Sequence, residues 1–176
     1  MSETSRPDPL VSLARTAIES YVREHRVAEA SPVPGLEHRR AGVFVSLHRS
    51  DGSLRGCIGT FMPTKPTIEE EIVRNAISAA THDPRFRPVS EAELADLDIS
   101  VDVLEPPEPA VGMEALDPKT YGIIVSAPDG RQALLLPDLE GIDTPETQLR
   151  VTCQKGGIDP DRDRYSIHRF RVTRHH

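Results

Sequence analysis

An arginine and a cysteine two residues apart, Arg55 and Cys57, are the residues best able to do chemistry in this chain. They lie in the run LRGCIGTF, residues 54 to 61, with Gly56 between them and Gly59 just beyond. On a strand, side chains two apart point the same way. Arg55, Cys57, Gly59 and Phe61 then share one face, and Leu54, Gly56, Ile58 and Thr60 share the other. A guanidinium at that range favours a thiolate, and a partly exposed thiolate is the nucleophilic form of cysteine. The competing reading is structural. Free cysteine often serves as a small buried filler, and glycine in a strand often marks a close approach by another group.

A cysteine nucleophile needs a base within hydrogen-bond reach. His82 is the best placed histidine, because it ends an apolar-periodic helix and opens the run HDPRF. Its alternative role is a helix C-terminal residue that favours the macrodipole. Other chemistries lack their motifs. The run LRGCIGT has neither the spacing nor the lysine of a phosphate loop, and neither G-x-S-x-G nor H-E-x-x-H occurs. Glu69, Glu70 and Glu71 read as first-turn helix charges. Asp98 and Asp102, helped by Glu105, could chelate a cation but read as solvated strand charges. No metal site and no cofactor are expected.

The elements that position these residues follow from periodicity. Asp8-Pro9 caps a helix with an apolar face of Leu10, Leu13, Ala14, Ala17, Ile18 and Tyr21, running to about Glu29. GVFVSL, an Asp51-Gly52 turn and the LRGCIG arm form a hairpin. Thr67 and Glu70 make a capping box for a second helix, from Ile68 to about His82. A short turn capped by Ser90 and Glu93 leads into LDISVDVL, with Leu97, Ile99, Val101 and Val103 facing in and Asp98, Ser100 and Asp102 facing water. A second hairpin turns at Asp129-Gly130. Thr144-Pro145 opens a third helix, closed by Gly156-Gly157. In the closing RYSIHRFRV, a parity change between Ile167 and Phe170 predicts a bulge near His168-Arg169. Hairpins interleaved with helices make an α+β fold with a largely antiparallel sheet.

Composition bounds the rest. A chain of 176 residues buries about two-thirds of its unfolded surface without a metal or disulfide. Aromatics are 4% and tryptophan is absent, so the core must be aliphatic. A formal net charge of −7 argues against general nucleic-acid binding. Four arginines near the C-terminus, Arg164, Arg169, Arg171 and Arg174, read as the solvated side of a strand. Two cysteines, Cys57 and Cys153, form no disulfide framework and no paired C-x-x-C. Neither a signal peptide nor a membrane span is visible, so a cytoplasmic protein is expected.

Taken in order, these segments resemble the AMMECR domain family, whose bacterial members include protein A of the AmmeMemoRadiSam system. The hallmark LRGCIG stands at residues 54 to 59, with NAISAATHDPRF at 75 to 86, ISVDVLEPPEP at 99 to 109 and YSIHRFRV near the end. The family's K-A-G helix end appears here as Lys155-Gly156-Gly157. The resemblance implies an α+β fold with a smaller second lobe, with residues 1–7 a flexible tail and 8–174 one two-lobed domain. It implies that the hallmark strand lines a binding cleft, formed by Arg55, Gly56, Cys57, Gly59, Asp83 and Arg85. It brings no settled reaction. Its association in prokaryotes with a Memo-type, dioxygenase-like protein and a radical-SAM enzyme implies those partners, or a small ligand. Two functions follow as expectations. One is an accessory or binding domain. The other is a thiol-dependent enzyme with Cys57 as nucleophile, Arg55 as thiolate stabiliser or anion clamp, and His82 as base. Nucleic-acid binding ranks last.

Overall fold

The computed structural model describes residues 6–176, so the first five residues of the expected tail lie outside the described residues. The chain divides into two compact units, residues 6–104 with 173–176, and residues 105–172. Each carries its own four-stranded sheet and its own aliphatic core.

In the first unit, helix α1 (Pro9–Glu24) starts where expected, with the Asp8 carboxylate accepting from the amides of Leu10 and Val11. It stops five residues earlier than the apolar pattern predicts. His25 adopts a left-handed conformation (φ 52°) and returns its amide to Ser20 and Tyr21, which closes the helix. Residues 26 to 31 then run without regular structure.

Strands β1 (Val43–Arg49) and β2 (Leu54–Thr60) form the first hairpin, and β3 (Leu97–Leu104) pairs with the other edge of β1. With β8 (Val172–His175) the order is β2-β1-β3-β8. Val43, Val45 and Leu47 of β1 and Ile99, Val101 and Val103 of β3 bury one face against α1 and α2 (Ile68–Thr81). The opposite face carries Phe44, Ser46, Cys57 and Ser100, all half-buried. Asp102, expected in water on that face, is only 1% exposed. Arg174 of β8 grips it in bidentate fashion, at 2.8 and 2.9 Å, which removes it as a cation ligand.

Helix α2 is held onto β2 by groups the hydrophobic pattern does not reveal. An ideal Cβ on Gly56 would lie 2.2 Å from the Ala79 carbonyl oxygen, so glycine here permits the helix to touch the strand. Glu71, fully buried, accepts hydrogen bonds from Thr60 Oγ1, Thr64 Oγ1 and the amides of Thr64 and Lys65, at 2.7 to 2.9 Å. Burial alone would raise its carboxyl, but these donors win and hold it below the usual range. Glu69 accepts from the Val33 amide, and Asn75 donates to the Val43 carbonyl. The acidic triplet thus does more than favour the helix dipole.

In the second unit, β5 (Gly122–Ser126) and β6 (Gln132–Leu135) form the second hairpin. The sheet order is β4-β7-β5-β6, with β4 spanning Glu108–Pro109 and β7 Ser166–Phe170. Helix α3 (Pro145–Lys155) packs on β5 and β6. Lys155 Nζ donates to the Leu134 carbonyl at 3.0 Å, tying the helix end to β6. The bulge expected at His168-Arg169 is absent. The register of β7 against β5 runs unbroken from Ser166 to Phe170. The parity change arises instead at Arg171, where one strand ends and the next begins in the other sheet.

Two substitutions test these anchors. Gly56→Ala forces backbone apart at Ala79 and should lower stability by about 1–3 kcal/mol in urea unfolding. Glu71→Gln presents an amide nitrogen to backbone donors and should cost about 1–3 kcal/mol, with faster amide exchange at Thr64 and Lys65 than elsewhere in the unit.

Candidate functional site

The expected pairing of Arg55 with the Cys57 thiol does not form. Arg55 is 4% exposed and turns to Glu93. Its Nε donates to Glu93 Oε1 at 2.8 Å, and its Nη2 donates to Glu93 Oε2 and to the Arg87 carbonyl. Glu93 also accepts from the Ser90 amide and hydroxyl, so the carboxylate that caps the 90–96 turn is the one that neutralises Arg55. The Arg55 bonds first, then those from Ser90, draw the Glu93 carboxyl down to about 2. Arg55 Nε and Nη2 are therefore committed to the 87–93 segment, away from the thiol.

The cation beside Cys57 is Arg85. Asp83, 4% exposed, is the reason. Its carboxylate accepts from the Cys57 amide at 2.9 Å, and also from the Arg85 amide, Nε and Nη2 at 2.8 to 3.0 Å. Arg85 first, then the backbone donors, hold this carboxyl well below the usual carboxylate range despite its burial. The clamp aims Arg85 Nη2 at the Cys57 carbonyl, 3.4 Å away. Phe86 follows, with its ring centroid 5.8 Å from the Arg55 guanidinium carbon and 5.5 Å from that of Arg85. The DPRF turn is thus stitched to the outer face of β2 through one carboxylate and one ring.

The thiol itself is half-buried, and the Ser46 hydroxyl lies 3.2 Å from its sulfur. Burial pushes the Cys57 thiol up, outweighing the Ser46 hydrogen bond and the charge of Arg85, while Asp102 and Asp83 add to the rise. His82 is not among the groups acting on the thiol. It is the exposed C-terminal cap of α2, with Nδ1 on the Thr81 hydroxyl at 2.7 Å. A base for Cys57 is therefore missing from the position the sequence offered. Gly59 lies under the Phe44 ring, where a Cβ would come within 2.3 Å of ring carbon. The structure thus joins Cys57, Asp83 and Arg85, and leaves Arg55 and His82 to other contacts. Ser46 and Asp102 join the first three. Ser46 lies on β1 beside β2 and Asp102 on β3 beyond it, and only cross-strand pairing, Ser46 with Cys57 and Phe44 with Asp102, brings them in.

Cys153 makes a useful contrast. It is fully buried in the second unit's core, and burial alone pushes its thiol up. Among the described residues, no group of three or more His, Cys, Asp or Glu could hold a metal ion, and no helix is long and apolar enough to cross a membrane.

Comparison with known proteins bears on this arrangement. The AMMECR1 family model matches residues 11–175. A Thermotoga maritima protein is 54% identical over 95% of this chain and 97% of its own length. A Clostridium acetobutylicum protein is 48% identical over 99% of the chain, which spans 37% of that longer protein. An uncharacterised protein from Pyrococcus horikoshii has a crystal structure that superposes with a TM-score of 0.85 at 34% identity, covering 94% of this chain and 88% of its own. That match agrees with the α+β architecture described above.

Asp83 has a depressed folded-state value, so it stabilises the fold fully above about pH 4 and loses that contribution as pH falls through the folded value. Asp83→Asn should lower stability at pH 7 by roughly 2–3 kcal/mol. It should also flatten the fall of stability with acid between about pH 4 and 2 relative to the parent. Urea unfolding of both proteins across that range reads the effect.

Proposed function

The chain belongs to the AMMECR1 family, and from that membership and the geometry at Cys57 we propose that it acts as a recognition domain and not as a thiol enzyme. The observation that carries this reading is the surroundings of the sulfur, half-buried beside the Ser46 hydroxyl while His82 caps α2 elsewhere. Burial first, then two neighbouring carboxylates, push this thiol up against the Ser46 hydroxyl and the charge of Arg85, which favours the protonated form. A protonated thiol is a poor nucleophile, and the expected base is elsewhere. What remains is a surface of the first unit with a thiol, the Ser46 hydroxyl and the Arg85 guanidinium, whose side chain is 55% exposed. Asp83 occupies Arg85 Nε and Nη2, leaving Nη1 free of any acceptor among the described residues. Arg85 Nη1 offers its two donors to an oxygen of a partner protein or small ligand. The Memo-type, dioxygenase-like protein and the radical-SAM enzyme are the proposed partners, on the strength of the family resemblance.

Alkylation of Cys57, followed by mass spectrometry across pH, tests the chemical half. The inflection should lie above the ordinary thiol value of about 8.5. Arg85→Gln should raise it further, and Asp102→Asn should lower it. An inflection below the ordinary value, made normal by Arg85→Gln, would restore the thiol enzyme and sink this reading. Co-purification with the two partner proteins tests the other half. A complex weakened by Arg85→Ala is expected, and its absence under both reducing and oxidising conditions rejects those partners.

A further inference from the structure

A groove of about 930 Å³ runs along α2 in the first unit, on a different face from Cys57. Of the fourteen residues of α2, ten are buried, and the remaining four are Glu70, Arg74, Ser78 and Thr81. Those spacings of four, four and three place them in one line along the helix. Glu70, Arg74 and Ser78 line the groove floor, with Val73 and Ile77 as apolar shoulders. The facing wall is residues 27 to 30, the segment released when His25 ends α1 early.

That wall has the properties of an unpaired edge strand. Val27 is 63% exposed while Ala28 is 7% exposed, and Glu29 and Ala30 repeat the alternation as exposed and half-buried. Among the described residues, the amides of Val27, Ala28, Glu29 and Ala30 find no acceptor, and the carbonyls of Val27, Ala28 and Ala30 find no donor. The charges along the groove are equally unpaired. Lys65 Nζ and the Arg74 guanidinium meet no acid among the described residues, and Glu29 and Glu70 meet no cation.

We propose that this groove binds an extended peptide, which adds to residues 27–30 as a second strand and faces α2 with alternating side chains of opposite charge. The repeat distances match. Glu70, Arg74 and Ser78 succeed one another every four helical residues, about 6 Å along the axis. Side chains on one face of an extended peptide recur every two residues, about 6.6 Å. A basic side chain can therefore meet Glu70 while the acidic one two residues away meets Arg74 and a small polar one meets Ser78. Intervening apolar side chains point to the rim, where Val27 is exposed. The main chain supplies the donors and acceptors that residues 27–30 lack. The groove is long enough for about five such residues, since Glu70 to His82 spans roughly 18 Å of helix.

The probes are two acetylated, amidated pentapeptides, Lys-Val-Asp-Val-Ser and its reversed sequence, titrated into the full chain and followed by amide NMR. One of them should shift and protect the amides of residues 27–30 from exchange, and N-methylation of those peptide amides that face residues 27–30 should abolish that protection. Arg74→Glu and Val27→Asp alter exposed side chains and leave the core intact. Arg74→Glu should weaken the parent peptide about tenfold or more, and should favour the peptide with a second lysine in place of aspartate. Failure of both peptides to perturb residues 27–30 at millimolar concentration overturns the proposal. So does binding that survives N-methylation, which assigns the groove to a side-chain or small-molecule contact. Sedimentation showing self-association that buries residues 27–30 overturns it in favour of a second copy of this chain.

Discussion

One buried carboxylate, that of Asp83, holds the outer face of the first unit in place. It joins a backbone amide in the middle of β2 to a turn that follows α2, and it positions an exposed guanidinium in the same act. A carboxylate with four donors can stay ionised at 4% exposure, because each donor offsets part of the cost of leaving water. Without it, the Cys57 amide would be unpaired and Arg85 would be a mobile surface residue. The geometry around the thiol depends on Asp83 more than on the thiol.

The two faces of β2 are used for opposite purposes. Toward α2, Gly56 gives the helix room to touch, and Thr60 shares its hydroxyl with Glu71 and Asn75. Away from α2, Cys57 and Ser46 sit half-buried beside Asp102 and Arg85. The hallmark run is compact because a single strand must satisfy both demands. Its glycines answer steric limits set by a carbonyl on one side and a ring on the other, and its arginine anchors the 90–96 turn.

The arginines share a pattern. Arg55, Arg85, Arg169 and Arg174 each meet a carboxylate, and Arg171 meets the Tyr121 hydroxyl at 2.9 Å. Two guanidiniums also lie over the Tyr121 ring, at 4.2 and 4.9 Å. The planar fork of arginine suits bidentate partners, so cations that look like a basic run in the sequence are distributed among separate internal contacts.

Local rules were enough to read the elements from the sequence. Proline and aspartate caps, glycine turns and alternation located the helices, the two hairpins and β3, because each depends on residues close together in the chain. The expectation that Cys57 and Arg55 share a face rested on an unbroken strand period, and the register of β2 against β1 shifts at Arg55, where Leu47 pairs with Gly56 and His48 with Leu54. What the sequence could not supply was the choice of partner. Arg55 finds Glu93, thirty-eight residues away, and Asp83 finds the Cys57 amide, twenty-six residues away. Asp102 finds Arg174 across seventy-two. Such pairings have no local signature, since any of several acids could satisfy any of several arginines. Tertiary packing selects among them: the docking of α2 and its following turns on β2 places Asp83 and Glu93, and the pairing of β8 with β3 places Arg174 on Asp102. The early end of α1 was likewise decided by a left-handed cap at a histidine, a residue with only a weak preference for that conformation.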